Sequence, residues 1–387
     1  MSAGEARILT THVGSLVRPP GFAMQLRERQ AGRLADADYE KALRSAVQQV
    51  VQEQVEAGVD VVSDGEYGKM LGWEQYALER MEGFGPRQEL QMHTGGSAMF
   101  SDMQQFPDFY EEYWKHQELS EGIYPCIGPI RYTGHNALQR DIETLKEAMK
   151  RAGAKHGFLP VAAPASAFAL SPNAYYKTDE EYVFAGAEAL REEYLAIVNA
   201  GLYVQVDDAH LPFMYDRIVP PGTDEDFRRW AQVRIDALNH ALRGIPEDRV
   251  RYHICWGSWN GPHCCDVPLG SMAGLILQVH SGAYAIESAN ARHEHEWKVW
   301  KTAKLPSHRK LIPGVVSHQT NVVEHPELVA ERLLRFAGVV GRENLMAGTD
   351  CGFAQGPFVQ RVHPSIQWAK LRSLAEGARL ASRELWP

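Results

Sequence analysis

Eight short runs rich in β-branched and apolar residues punctuate the chain: 6–11 (ARILTT), 59–64 (VDVVSD), 157–163 (GFLPVAA), 202–208 (LYVQVDD), 250–256 (VRYHICW), 283–288 (AYAIES), 309–316 (RKLIPGVV) and 344–350 (NLMAGTD). Most are followed by a segment with helical periodicity. Leu43, Val47, Val50, Val51 and Val55 form one apolar stripe, with Gly58 suited to the helix stop. Val329, Leu333, Phe336 and Val340 form another, with Pro326 where a first helical turn tolerates a missing N–H. Strand and helix in regular succession demand a parallel sheet with crossover helices, and eight repeats of the pair predict an α/β fold of the (βα)8 TIM-type barrel class. An open doubly wound sheet would want a Gly-rich phosphate turn after the first strand, and none follows it.

At 387 residues the chain suits one barrel domain spanning 1–387, interrupted by an insertion at 82–123 where aromatics, Met and polar groups alternate without a clean period. In a barrel, that insertion sits over the C-terminal mouth. The net charge of −9, without a basic block, excludes a nucleic-acid footprint. No apolar stretch is long enough to cross a membrane, and the N-terminus carries no export signal, so a soluble cytoplasmic protein is expected. Five cysteines, an odd number, argue against a disulfide framework and leave metal binding, catalysis or burial.

The reactive side chains collect at one end of the strands. Ser15 follows the first, Asp64 and Glu66 the second, Asp207 and Asp208 end the fourth, and His253 and Cys255 lie at the end of the fifth. Glu287 closes the sixth, His318 follows the seventh, and Asp350 and Cys351 follow the eighth. In a barrel these share the catalytic face.

Residues i and i+2 of a strand point the same way, so His253 and Cys255 present an imidazole and a thiolate to a common point. Glu287 and Cys351 arrive from neighbouring strand ends. Such a Cys2HisGlu set suits Zn²⁺. The neighbouring His263, Cys264 and Cys265 lie in a Gly/Pro loop beyond the strand and read as surface or mouth-lining residues; His293-Glu294-His295 reads as a helix start, and Cys126 as a packed thiol.

The stretches TTHVGS (10–15), DGE (64–66), VQVDD (204–208), HIC (253–255), IES (286–288), HQTN (318–321) and GTDCG (348–352) together resemble the cobalamin-independent methionine synthase family, in its catalytic C-terminal barrel. The sequence HICWGSWNGPH with ESANARHEHEW is more similar to the short, single-barrel branch that includes epoxyalkane:coenzyme M transferase. The resemblance implies zinc on His253, Cys255, Glu287 and Cys351. It implies a substrate amino-acid end held by Val13, Gly14, Ser15, Glu66 and Asp207, and a proton donor at His318. Two positions depart from the family: Leu170 stands near the place of a folate-contacting tryptophan, and Phe213 replaces an expected acidic residue.

The expected chemistry is zinc-dependent alkyl transfer to a small thiol, of the homocysteine S-methyltransferase type, with epoxide opening by an activated thiol as the alternative. His318 is the candidate general acid for the leaving group. The expected partners are a small-molecule thiol and an alkyl donor, with neither nucleic acid nor membrane; the oligomeric state stays open, a homo-oligomer included. A zinc-free barrel of the porphyrinogen decarboxylase type would separate from this by a metal assay, and a zinc-storage module by the lack of turnover.

Overall fold

A computed structural model describes residues 6–89, 101–115 and 122–387. The first strand is Leu9–Thr10, the second Val61–Val62, the third His156–Ala162 and the fourth Tyr203–Asp207. The fifth is Val250–Ile254, the sixth Ala283–Ile286, the seventh Lys310–Val316 and the eighth Met346–Thr349. All eight anticipated runs supply a strand. Neighbours pair in parallel from the second round to the eighth and on to the first, and a parallel bridge between Thr11 and Val61 closes the ring. The fold is a (βα)8 barrel, and no described helix is long and apolar enough to cross a membrane.

Alternation along the strands sorts side chains between two environments. Val204, Val206, Val250, Tyr252 and Ile254 face outward into the main core, where they meet helices such as Asp36–Glu56 and Pro326–Val340. Each fully buried Val contributes about 1.5–3 kcal/mol relative to exposure. Gly58, at φ +87°, ends the first of these helices in a conformation that L side chains rarely adopt. Inward, Leu9, Val61, Phe158, Tyr203, Ala285, Ile312 and Met346 fill the barrel floor. Two residues further along, Gln205 and Arg251 form a polar layer, then come Asp207 and His253, then Cys255. Arg251 is fully buried, donating to Thr11 Oγ1 and the His12 carbonyl oxygen (both 3.0 Å) while its guanidinium lies 3.9 Å over the Phe158 ring.

Of the expected insertion at 82–123, residues 90–100 and 116–121 lie outside the described residues. Met81–Phe84 pairs antiparallel with Cys126–Tyr132, a small sheet beside the barrel that the sequence reading did not anticipate. Cys126 is buried there. The helices Ser101–Gln105 and Pro107–Lys115 touch the loop after the fifth strand: Trp259 Nε1 donates to Tyr110 Oη (3.0 Å), Asn260 N to Tyr113 Oη (3.0 Å) and Cys264 N to Asp102 Oδ1 (2.9 Å).

Candidate active site

At the C-terminal ends of the strands a narrow cavity of about 60 Å³ is lined by Val13, Ser15, Glu66, Trp73, Asp207, Ala209, His253, Cys255, Ser258, Cys351 and Gln355, among others. Parallel pairing of the fourth and fifth strands sets Asp207 opposite His253, and the eighth strand delivers Cys351 beside Cys255 with sulfurs 3.5 Å apart. Donor atoms of His253, Cys255 and Cys351 all lie within 4.8 Å of one another, and all three residues are buried. A tetrahedral zinc with Zn–S near 2.3 Å would set two sulfurs roughly 3.8 Å apart, so this soft donor set fits the ion. The mutual hydrogen bond with Cys351, then burial, push the Cys255 thiol well above its usual range, the condition that a bound cation would reverse.

Glu287 does not join that trio. Its donor oxygen falls in a second buried group with His318 and Asp350, all within 4.8 Å. Its carboxylate accepts from Trp256 N (3.0 Å) and from the Asn290 amide, and burial raises its pKa. Asp350 Oδ1 accepts from Ser288 N (2.8 Å) and Ala289 N (2.7 Å), while Oδ2 has no partner. Burial, and next the Glu287 charge, push Asp350 up to about 8. A general acid at His318, as the sequence predicts, would want a pKa near neutral. Instead, burial foremost, helped by Arg361 and other cations, pulls the imidazole well below that range; both ring nitrogens lack partners, and the residue does not line the cavity.

The segment Val13 to Ser15 forms one wall. Gly14 has φ +130°, and a Cβ there would stand 2.5 Å from Pro160 Cγ, so only glycine fits. Its backbone is largely engaged: Val13 N donates to Thr349 Oγ1 (3.3 Å), Gly14 N to His12 Nδ1 (3.1 Å), and the Gly14 carbonyl accepts from Ser63 Oγ (3.0 Å). The Ser15 hydroxyl is buried without a partner and lines the cavity. Glu66 pairs with Lys69 at 3.3 Å. Burial nevertheless raises the Glu66 pKa to about 7, with Lys69 opposing and Asp207 and Asp64 reinforcing. Sequence reasoning missed Lys69 and Trp73. The i, i+3 spacing of Lys69 from Glu66 was a usable signal; Trp73, which stacks on His210 at 6.0 Å, offered none.

Beyond the cavity, His263, His293 and Asp266 form a separate ion cluster. Asp266 Oδ2 lies 3.0 Å from both His263 Nδ1 and His293 Nε2, and His293 Nδ1 lies 2.8 Å from Glu296 Oε2. Cys264 is exposed and Cys265 half-buried.

A closed parallel barrel with its reactive groups at the C-terminal strand ends defines a barrel enzyme. More narrowly, the chain is similar to the cobalamin-independent methionine synthases. Residues 8–99 match the family model "Cobalamin-independent synthase, Catalytic domain". The methionine synthase of Thermococcus kodakarensis is 25% identical over 382 residues, covering 97% of this chain and 94% of that protein. The 2-hydroxypropyl-CoM lyase of Xanthobacter autotrophicus is 22% identical over 409 residues, covering 98% and 96%. In fold, the chain is similar to a B12-independent methionine synthase from Shewanella sp. W3-18-1 solved with selenomethionine (TM-score 0.72, 18% identity, 98% and 99% covered).

Proposed function

We propose that the chain is a zinc-dependent thiol alkyltransferase acting as a single barrel domain, transferring a methyl group to a small amino-acid thiol of the homocysteine type. The observation that carries this reading is the buried trio His253, Cys255 and Cys351 at the wall of a cavity that also holds the unpartnered Ser15 hydroxyl and Glu66. His253, Cys255 and Cys351 would hold the ion, with Glu287 completing the set from the adjoining group. When bound, zinc supplies a Lewis acid that keeps an acceptor sulfur deprotonated at neutral pH. Ser15 then hydrogen-bonds the acceptor's carboxylate end and Glu66 attracts its ammonium group. The alkyl donor would enter from the mouth of the barrel, where the helices Ser101–Gln105 and Pro107–Lys115 meet the loop after the fifth strand. His318, grouped with Glu287 and Asp350 within 4.8 Å, would pass a proton to the departing group.

A screen of thiols against alkyl donors on zinc-loaded protein tests the reaction. Elemental analysis should find one zinc per chain, lost in Cys255→Ser and Cys351→Ser and kept in Cys264→Ser; the opposite pattern overturns the ligand set. Epoxide opening is the second reading, favoured by the full-length likeness to the CoM lyase and by Lys69, whose charge offsets Glu66 and softens repulsion of an anionic acceptor.

A further inference from the structure

We infer that Asp207 is a positioning residue for His253: it fixes the imidazole tautomer that leaves Nε2 free to bind a metal ion. The inference rests on the zinc reading of the site. Asp207 Oδ1 lies 2.9 Å from His253 Nδ1, and both residues are almost fully buried, with exposures of 4% and 2%. A carboxylate oxygen accepts, so this contact is a hydrogen bond when Nδ1 carries the proton. In the neutral ring of that tautomer Nε2 is the bare nitrogen; it stands 3.4 Å from the carbonyl oxygen of Asp350, the residue before Cys351, a contact that only a proton on Nε2 would make a hydrogen bond and that a bound metal ion would replace. The aspartate is itself held: Gln205 Nε2 donates to the same Oδ1 at 2.9 Å, and the Gln205 amide also grips the Val13 carbonyl. One chain of hydrogen bonds thus runs from the Val13 wall through Gln205 and Asp207 to the metal-binding imidazole. Resemblance gives Asp207 to the substrate's ammonium group; the geometry commits its Oδ1 to the histidine.

A carboxylate behind a ligating histidine raises its basicity and fixes its orientation, and losing such a partner typically weakens metal affinity by about 10–100-fold. The test is chelator competition for zinc on the full chain without any thiol present, comparing wild type with Asp207→Asn. A loss of that size supports the inference, because a residue that only bound substrate would leave thiol-free zinc affinity unchanged. Unchanged affinity in Asp207→Asn, with wild type binding zinc, overturns this inference and leaves the zinc reading standing. A wild-type chain that takes up no zinc sinks both. If Asp207→Asn fails to fold, imidazole ¹H–¹⁵N spectra of the zinc-loaded wild type decide: a proton on His253 Nδ1 supports the inference, and one on Nε2 overturns it.

Discussion

Glu66 is the residue where burial and charge leave the most readable trace. Its carboxyl, raised from 4.5 to about 7, ionises across neutral pH rather than well below it. Binding of an ammonium-bearing thiol should therefore strengthen as pH rises through about 7, by roughly tenfold for one opposite charge a few ångströms away. Calorimetric titration of homocysteine into wild type and Glu66→Gln checks this. The variant's curve should lack the step, and a thiol sulfonate should bind the wild type more weakly as the same carboxyl ionises; tighter binding of the sulfonate, insensitive to the substitution, would favour the epoxide reading. His318 makes a different demand. With no hydrogen-bond partner and a pKa well below the ordinary range, it is a poor reservoir of protons, and its proposed role as general acid needs a proton supplied to it during the reaction. His318→Ala should keep zinc and thiol binding yet lose about a hundredfold to ten-thousandfold in turnover with donors whose leaving group needs a proton. Single-turnover rates should show a much smaller loss with a methylsulfonium donor, and equal losses would remove the role.

Ions help to pin the loop after the fifth strand, beside the buried Trp256 and Val267. Burial disfavours the charged His293 ring, but hydrogen bonds to Asp266 and Glu296 outweigh it and raise its pKa from 6.5 to about 9. A raised folded-state pKa means that the stabilisation is fully present below about pH 6.5 and lost as pH rises through about 9. The upper bound is about 3 kcal/mol. Denaturant midpoints at pH 6 and pH 9.5, taken as solution conditions on either side of that window, should differ for wild type and converge in His293→Gln. This cluster was not legible from HEH and PHCC as text, because it depends on where two loops meet. The strands were legible, since β-branched runs such as VDVVSD and LYVQVDD announce themselves through period and composition. Cys126–Tyr132 was hidden because Gly128 and Pro129 break its alternation. Among the site residues, the His253/Cys255 spacing declared a shared face, whereas the Asp207–His253 bond follows from strand register, which no local pattern encodes.

For the molecule as a whole, the barrel decides what can be near what. Its first strand lies between the second and the eighth, so Ser15 and Cys351 border one cavity although they come from opposite ends of the sequence. The end of the chain is tied back to its beginning in the same way: Ile8 N donates to Ser382 Oγ at 2.9 Å, from the last helix, Pro364–Leu385. The two thiols of the trio are 96 positions apart. While the ribosome is still making the intervening helices and strands, Cys255 has no sulfur partner, and the trio of donors exists only after the eighth strand has been synthesised. On the zinc reading, metallation would be a late step of maturation, and a product terminated before Cys351 would lack one of the site's two sulfur donors.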